Sequence, residues 1–191
     1  MLVNWSPSRV MVKVTRRSRE LDPLSGLINA LEGQFLLHAG KTDEAITRLR
    51  EALELDPGSR VAHLFAANAY IEKGLYAEGI DEAAKSRSLS PSNTQAIAVG
   101  GYAKARIGRK DQARDALEEL LEISKERYVP PYSMAIMHMG LGQPEETLKA
   151  LERAVNVGDP FLMFLKVDPR WKSLGHDPRF TLLLKRVNLG S

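Results

Sequence analysis

Residues 33–57 read GQFLLHAGKTDEAITRLREALELDP, and the spacing of glycine and proline in this stretch recurs along the chain. A glycine and a proline each return every 34 residues, and the distance between the two series stays fixed. The glycines are Gly40, Gly74, Gly108 and Gly142, and the prolines are Pro23, Pro57 and Pro91. Two residue types that share one period indicate an internal repeat, so the chain is predicted to contain copies of one structural unit.

Each unit is predicted to be a pair of antiparallel helices. Gly33 and Ala45 are small enough to let two helix backbones approach closely, while Leu49 fills the space beside them. Gly40 can adopt the left-handed conformation that ends the first helix. Pro57 cannot continue the second helix and suits the start of the next connection. Alternating helices of this kind predict an all-α protein.

This pattern resembles the tetratricopeptide-repeat (TPR) family over most of the chain. The match is strongest in the first repeat, at Gly33, Gly40, Ala45, Leu49, Ala52 and Pro57. Lys125 stands where proline is expected, Thr147 replaces alanine, and the family's tryptophan at the fourth repeat position is absent. The resemblance implies a right-handed α-solenoid of about four hairpins that acts as a protein–protein interaction scaffold.

The repeat length fixes the expected boundaries. Four units are predicted at 26–59, 60–93, 94–127 and 128–161. Residues 9–24 end like a second repeat helix and are interpreted as a half repeat, although the alternation of Val10, Val12 and Val14 also allows a strand. Residues 1–8 are expected to be disordered or extended. Residues 162–191 are expected to form capping helices, because Asp168-Pro169 and Asp177-Pro178 are typical helix starts.

A narrower resemblance covers residues 128–187. The segments Tyr128-Val129-Pro130-Pro131-Tyr132 and Leu165-Lys166-Val167-Asp168-Pro169-Arg170 are similar to the C-terminal end of a group of bacterial TPR regulators. In that group the repeats follow a winged-helix DNA-binding domain, a kinase domain or a cyclase domain. The resemblance implies a bacterial sensor or interaction module, either standing alone or belonging to a longer chain.

Composition argues against several classes of function. The apolar content of 43% and charged content of 27% are normal for a folded domain. Cysteine is absent, which excludes disulfides and permits the cytoplasmic location that we expect. No apolar run is long enough for a membrane span. The four histidines lack metal-ligand spacing, and neither a catalytic triad nor a phosphate loop is visible, so we expect no enzyme activity, cofactor or metal.

The partner-binding surface is expected on the first helices, which line the concave groove in the TPR family. We hypothesise that an extended or helical peptide binds there, with Gln34 and Asn68 bonding its backbone and Tyr102 and Tyr132 packing on its side chains. The alternative is that neighbouring helices cover these residues. The predicted groove residues are Gln34, His38, Leu64, Asn68, Ile71, Tyr102, Arg106, Tyr132 and Ile136.

Two other partners follow from the ends of the chain. The half repeat leaves residues 27–37 without their usual neighbour, so two copies could form a homodimer through that face. Basic residues near both termini allow a weaker hypothesis of nucleic-acid binding, which the many interspersed acidic residues disfavour.

Overall fold

The computed structural model describes residues 7–189, with side chains from residue 10 onward, and this part of the chain contains helices and turns without a strand. It divides into two compact units, residues 1–92 and residues 93–191. The first unit contains α1 (Pro7–Leu21), α2 (Gly26–His38), α3 (Thr42–Leu55), α4 (Arg60–Glu72) and α5 (Tyr76–Leu89). The second contains α6 (Thr94–Arg106), α7 (Lys110–Glu126), α8 (Pro131–Gly140), α9 (Pro144–Val157) and α10 (Pro178–Arg186), with 3-10 helices at Pro160–Phe164 and Pro169–Leu174.

Both units are built from helical hairpins. In the first unit α2 packs on α3, α4 packs on α5, and the two leading helices α2 and α4 also contact each other. In the second unit α6 packs on α7, α8 packs on α9, and α6 contacts α8 in the same way. α1 packs against α2, and α10 packs against α9. The first, or leading, helix of each hairpin therefore packs on the second helix of the same hairpin and on the leading helix of the neighbouring hairpin in its unit.

Local sequence explains where the leading helices begin and end. Ser25, Ser59 and Asn93 precede α2, α4 and α6, and the side-chain oxygen of each accepts a hydrogen bond from the backbone N–H three residues later. Glycines with positive φ stand in the turn after each leading helix. These are Gly40 (φ 76°), Gly74 (φ 83°), Gly108 (φ 82°) and Gly142 (φ 73°). The predicted role of the 34-residue glycine series is thus confirmed.

Small residues are required where helices approach closely, both within a hairpin and between two leading helices. A Cβ atom at Gly33 would lie 2.5 Å from Leu49 Cγ, and a Cβ atom at Gly101 would lie 2.5 Å from Met137 Sδ. Ala45 and Leu49 are both buried, at 0% and 1% exposure. The hairpin of α2 and α3 is therefore closed by the residue pair that the sequence pattern indicated.

At the N-terminus the structure differs from the strand alternative and from the predicted extent of the extended segment. The valine alternation does not form a strand, because Val10, Val12 and Val14 all belong to α1. The helix also begins at Pro7, so residues 7 and 8 are helical and not extended. Residues 1–6 of the predicted loose segment lie outside the described residues.

The capping segment is helical as expected, but it is irregular. Two 3-10 helices, at Pro160–Phe164 and Pro169–Leu174, precede α10, and each of the three begins with proline after an aspartate. Leu165 and Trp171 are 1% and 2% exposed, so this segment adds apolar core to the second unit. Within residues 7–189, none of the helices combines the length and apolar character that a membrane span requires.

Candidate interaction surfaces

In the first unit, the predicted groove residues of α2 form a buried polar pair. Gln34 and His38 lie one helical turn apart, are 7% and 9% exposed, and place Gln34 Nε2 2.7 Å from His38 Nε2. Gln34 Oε1 is buried and has no hydrogen-bond partner among the described residues. A buried acceptor without a partner costs about 1–3 kcal/mol, so this oxygen is an unusual feature of the leading-helix face.

On α4 the predicted residues have different roles. Leu64 and Ile71 are buried at 5% and 7% exposure and belong to the core. Asn68 is partly exposed, and its Nδ2 donates to the backbone oxygen of Leu64 at 3.0 Å. Leu27, at the start of α2, is 57% exposed. The accessible part of this face therefore combines an amide from α4 with an apolar side chain from α2.

In the second unit, Tyr102 is 5% exposed and packs against the end of α8, where a Cβ atom on Gly140 would lie 2.9 Å from Tyr102 Cα. Arg106 is exposed, and its Nη1 lies 3.5 Å from the Tyr102 hydroxyl oxygen. The Arg106 guanidinium also sits 5.9 Å from the Tyr102 ring centroid, which is a cation–π distance. Arg106 is thus the accessible member of this pair.

Tyr132 lies inside the second unit and not on an open groove. Its hydroxyl donates to Asp168 Oδ2 at 2.8 Å and accepts from Trp171 Nε1 at 2.9 Å. The rings of Tyr132 and Trp171 meet edge to face, with centroids 5.5 Å apart. Burial, and then the Asp168 charge, raise the pKa of Tyr132 well above its usual value. Ile136 is also buried, so neither residue is available to a partner in this structure.

The capping segment is held by an ion pair that the sequence analysis did not foresee. Arg170 Nη2 and Nε approach Asp168 Oδ2 and Oδ1 at 2.6 and 2.9 Å, and Asp168 Oδ1 also accepts from the backbone N–H of Arg170 at 3.1 Å. Burial alone would raise the pKa of Asp168, but the Arg170 charge and the hydrogen bonds outweigh it and lower that pKa. Aspartate here caps a helix and binds the arginine that follows the proline.

The second Asp-Pro-Arg triplet repeats this local arrangement at the surface. Asp177 accepts from the backbone N–H of Arg179 at 2.8 Å, and the Arg179 guanidinium also bonds Glu145 of α9 at 2.7 and 2.8 Å. The guanidinium lowers the pKa of both carboxyls through its hydrogen bonds. α10 is therefore fixed to α9 by a bidentate ion pair. The sequence predicted the helix start at each aspartate, but not its arginine partner.

A buried carboxylate on α2 also escaped the sequence analysis. Glu32 is 1% exposed, and its oxygens lie 2.7 Å from Arg19 Nε, 3.5 Å from Arg48 Nε and 3.7 Å from Arg16 Nε. Two of these arginines come from α1, so part of the basic N-terminal cluster is directed at α2. A cleft of about 310 Å³ adjoins this cluster, lined by Arg16, Glu32, Leu36, Asp43, Glu44, Thr47 and Arg48. The position of Glu32 in the repeat did not predict this cluster of charged side chains.

The face predicted for a homodimer is largely covered. Within residues 27–37 the apolar side chains are buried or half-buried, with the exception of Leu27. α1 accounts for much of this burial because it packs on α2. The larger exposed apolar side chains of this region lie on α1 and in the turn after it, at Val10, Val14, Leu21 and Leu24.

The histidines show no metal-site geometry. His63 is 7% exposed, with Nδ1 2.5 Å from Glu82 Oε2 and Nε2 3.0 Å from the backbone oxygen of Pro57. Burial alone would raise the pKa of Glu82, but hydrogen bonds from His63 and Lys85 outweigh it and lower that pKa. Across residues 7–189, no group of three or more histidine, aspartate and glutamate side chains is arranged to hold a metal ion.

Comparison with known proteins agrees with this geometry. Residues 36–98 match the family model described as tetratricopeptide repeat, and this range runs from α2 to α6. Residues 36–98 therefore carry tetratricopeptide repeats. The predicted family and the predicted all-α fold of TPR hairpins are thereby confirmed, and the fold is one associated with protein–protein interaction.

Several solved structures share the TPR fold of this chain. The crystal structure of MamA has a TM-score of 0.55 at 19% identity, covering 80% of this chain and 89% of that one. YrrB, described as a TPR protein with an unusual peptide-binding site, has a TM-score of 0.55 at 16% identity, covering 93% of each chain. The Naa15/Naa10 complex bound to HypK-THB gives a TM-score of 0.52 at 16% identity, covering 91% of this chain and 28% of that one.

A curated relative matches over part of its length. The Protein CTR9 homolog of Arabidopsis thaliana is 23% identical over 123 residues, which is 64% of this TPR chain. The chain spans only 11% of that relative's length.

Proposed function

We propose that this TPR chain is a protein-interaction module, and that an extended segment of a partner protein binds to the leading-helix face of its first unit. The proposal rests mainly on Gln34 Oε1, a buried acceptor without a hydrogen-bond partner among the described residues. A backbone N–H of a bound segment would supply the missing donor. Because the Gln34 side chain is only 7% exposed, it must rotate outward, or the residues covering it must move aside, before it can accept this hydrogen bond.

The neighbouring side chains favour an extended peptide. Asn68 offers a second amide on the adjacent helix α4, and amide groups can bond both the N–H and the C=O of a peptide backbone. Leu27, at 57% exposure, offers an apolar contact for a side chain of the segment. YrrB is a TPR protein with a peptide-binding site, and this supports the same class of ligand. The resemblance to bacterial regulators adds a context in which such binding would serve sensing.

The test begins with peptides selected against the full chain from a random display library. Fluorescence anisotropy then compares their affinity for the parent, for Gln34→Ala and for Asn68→Ala. Each substitution should weaken binding about five- to tenfold, the loss expected for one hydrogen bond of about 1 kcal/mol or slightly more. Thr47→Ala is the matched control, because Thr47 is exposed on the second helix α3.

The outcomes separate clearly. A loss of affinity at Gln34 and Asn68, with Thr47→Ala unchanged, supports binding at the leading-helix face. Equal affinity for all four proteins would reject that face. Circular dichroism of each variant checks that the helices are retained.

A further inference from the structure

The outward face of α1 carries an apolar stripe beside basic side chains. Val10, Val14 and Leu21 are 43%, 51% and 75% exposed, and their spacing places them along one side of the helix. Lys13 and Arg17 are exposed on the same side. α1 contains five basic residues and one acidic residue. The outward face of α1 therefore combines exposed apolar side chains with the positive charges of Lys13 and Arg17.

The opposite face of α1 is fixed to the first unit. Val12 and Thr15 are buried at 8% and 6% exposure, and Arg19 Nε lies 2.7 Å from the buried Glu32 carboxylate. Because these contacts define which side of α1 faces α2, the apolar stripe is held outward. Arg16 and Arg19 are committed to Glu32, while Lys13 and Arg17 remain on the outer surface.

In the second unit, α7 presents a surface of opposite charge. It contains six acidic and three basic residues. Asp115, Glu118 and Glu122 are exposed along one side of the helix, and Leu121 beside them is 44% exposed. An apolar side chain flanked by carboxylates complements the apolar and basic stripe of α1.

We infer that α1 of one copy of this chain docks on α7 of a second copy. Val14 and Leu21 contact Leu121, and Lys13 and Arg17 face Glu118 and Glu122. The contact joins two different surfaces, so each added copy still offers a free α1 or α7. Association can then continue beyond a dimer, and it weakens with salt because charge complementarity contributes to it.

Sedimentation velocity of the full chain over a wide concentration range tests this inference, at salt concentrations of about 0.05 and 0.5 M, on either side of a Debye length of ~10 Å. The K13E/R17E double substitution reverses the charge on the outward face of α1, and E118K/E122K reverses the charge on α7. Each pair alone should raise the dissociation constant at least about tenfold, because like charges then face each other. These side chains are exposed, and their ion pairs, Arg17 with Glu20 and Glu122 with Lys125, are local surface pairs.

Combining the two charge reversals provides the decisive experiment. A chain carrying all four substitutions should associate again, and so should an equimolar mixture of the two reversed variants. The inference is overturned by a parent that stays monomeric at both salt concentrations, by either reversed pair associating like the parent, or by failure of the four-fold variant to recover. L21S and L121S supply a second measurement, since each should weaken association at high salt as well. Peptide affinity at Gln34 and Asn68 should not change in the α1 and α7 variants, which separates this inference from the proposed function.

Discussion

Substitution of Gly33 by alanine tests the packing of the first hairpin. The added Cβ would lie 2.5 Å from Leu49 Cγ, 2.9 Å from Cδ2 and 3.2 Å from Cδ1. Leu49 is 1% exposed, so its branched side chain has no solvent-facing space to move into. The backbones of α2 and α3 must therefore separate, or Leu49 must adopt a strained rotamer.

Two opposing contributions set the size of the effect. Alanine is favoured over glycine inside a helix by about 1 kcal/mol, whereas overpacking costs about 1–3 kcal/mol. Leu49 is branched at the atom that the new Cβ meets, so overpacking should prevail and leave a net loss of roughly 1–2 kcal/mol. Gly101→Ala should cost less, because its two shortest contacts would be with Met137 Sδ and Cε, the flexible end of an unbranched side chain, and Ala116 Cβ would lie farther away at 3.1 Å.

Urea denaturation followed by circular dichroism measures both changes at equilibrium. Gly58→Ala is the control, because its new Cβ would have only Asp56 Oδ1 nearby, at 3.5 Å. The expected order of destabilisation is Gly33→Ala, then Gly101→Ala, then Gly58→Ala. A Gly33→Ala protein as stable as the parent, or a larger loss at Gly101, would refute this reasoning about the hairpin.

Three further substitutions give distinct results. Glu32→Gln should lower the unfolding free energy by about 2 kcal/mol, because a buried anion shared by three partly exposed arginines is lost. The half-buried Glu51, which pairs with Arg48, should cost less than about 0.5 kcal/mol when replaced by Gln in the same urea assay. Tyr132→Phe should cost about 1–3 kcal/mol at neutral pH, because two buried hydrogen bonds are removed. Because the pKa of Tyr132 is raised, the folded state keeps the phenol proton after the unfolded chain releases it. The free energy of unfolding of the parent should therefore fall as pH rises above about 10. Tyr132→Phe should lack this fall when its free energy of unfolding is compared at neutral pH and above that value. Gly74→Ala should lower the thermal midpoint through a cost of about 1–2 kcal/mol, because φ at this residue is +83° and alanine disfavours that conformation; an unchanged midpoint would contradict the turn.

The hairpins could be predicted from the sequence because their determinants are local and repeated. Gly40 and its equivalents report a backbone conformation, and Gly33 with Leu49 reports a contact within one unit. Such requirements recur every 34 residues, whichever elements pack around the repeat. α1 ends at Leu21, just before the Asp22-Pro23 pair that belongs to the same spacing, and it begins at Pro7, two residues before the predicted half repeat.

The accessibility of the groove residues could not be predicted in this way. Tyr132 occupies a position that the family leaves open to partners, yet Asp168 and Trp171 from the capping segment enclose it. Repeat position alone does not show what packs on the last leading helix, because the capping segment breaks the 34-residue pattern. For Gln34, Asn68 and Arg106, partner contact remains a prediction that the binding experiments address.

Glu32 marks the second limit of periodicity. Its arginine partners come from α1 and α3, so the buried charge depends on one junction and is not repeated along the chain. From the sequence, the basic residues near the N-terminus allowed the hypothesis of a nucleic-acid contact. Two of them instead neutralise a carboxylate inside the first unit, which reduces the positive charge available to an outside anion.

The Asp-Pro-Arg triplet at residues 168–170 has a consequence for repeat engineering. Its aspartate and arginine are joined by hydrogen bonds that span two residues, and Asp168 also accepts a hydrogen bond from the phenol of Tyr132 in the adjoining hairpin. Transplanting residues 159–186 as the end of another helical array would therefore require a tyrosine at the position of Tyr132 and an acidic residue at the position of Glu145, which binds Arg179. Such a segment would end an array at a defined position without a designed polar helix.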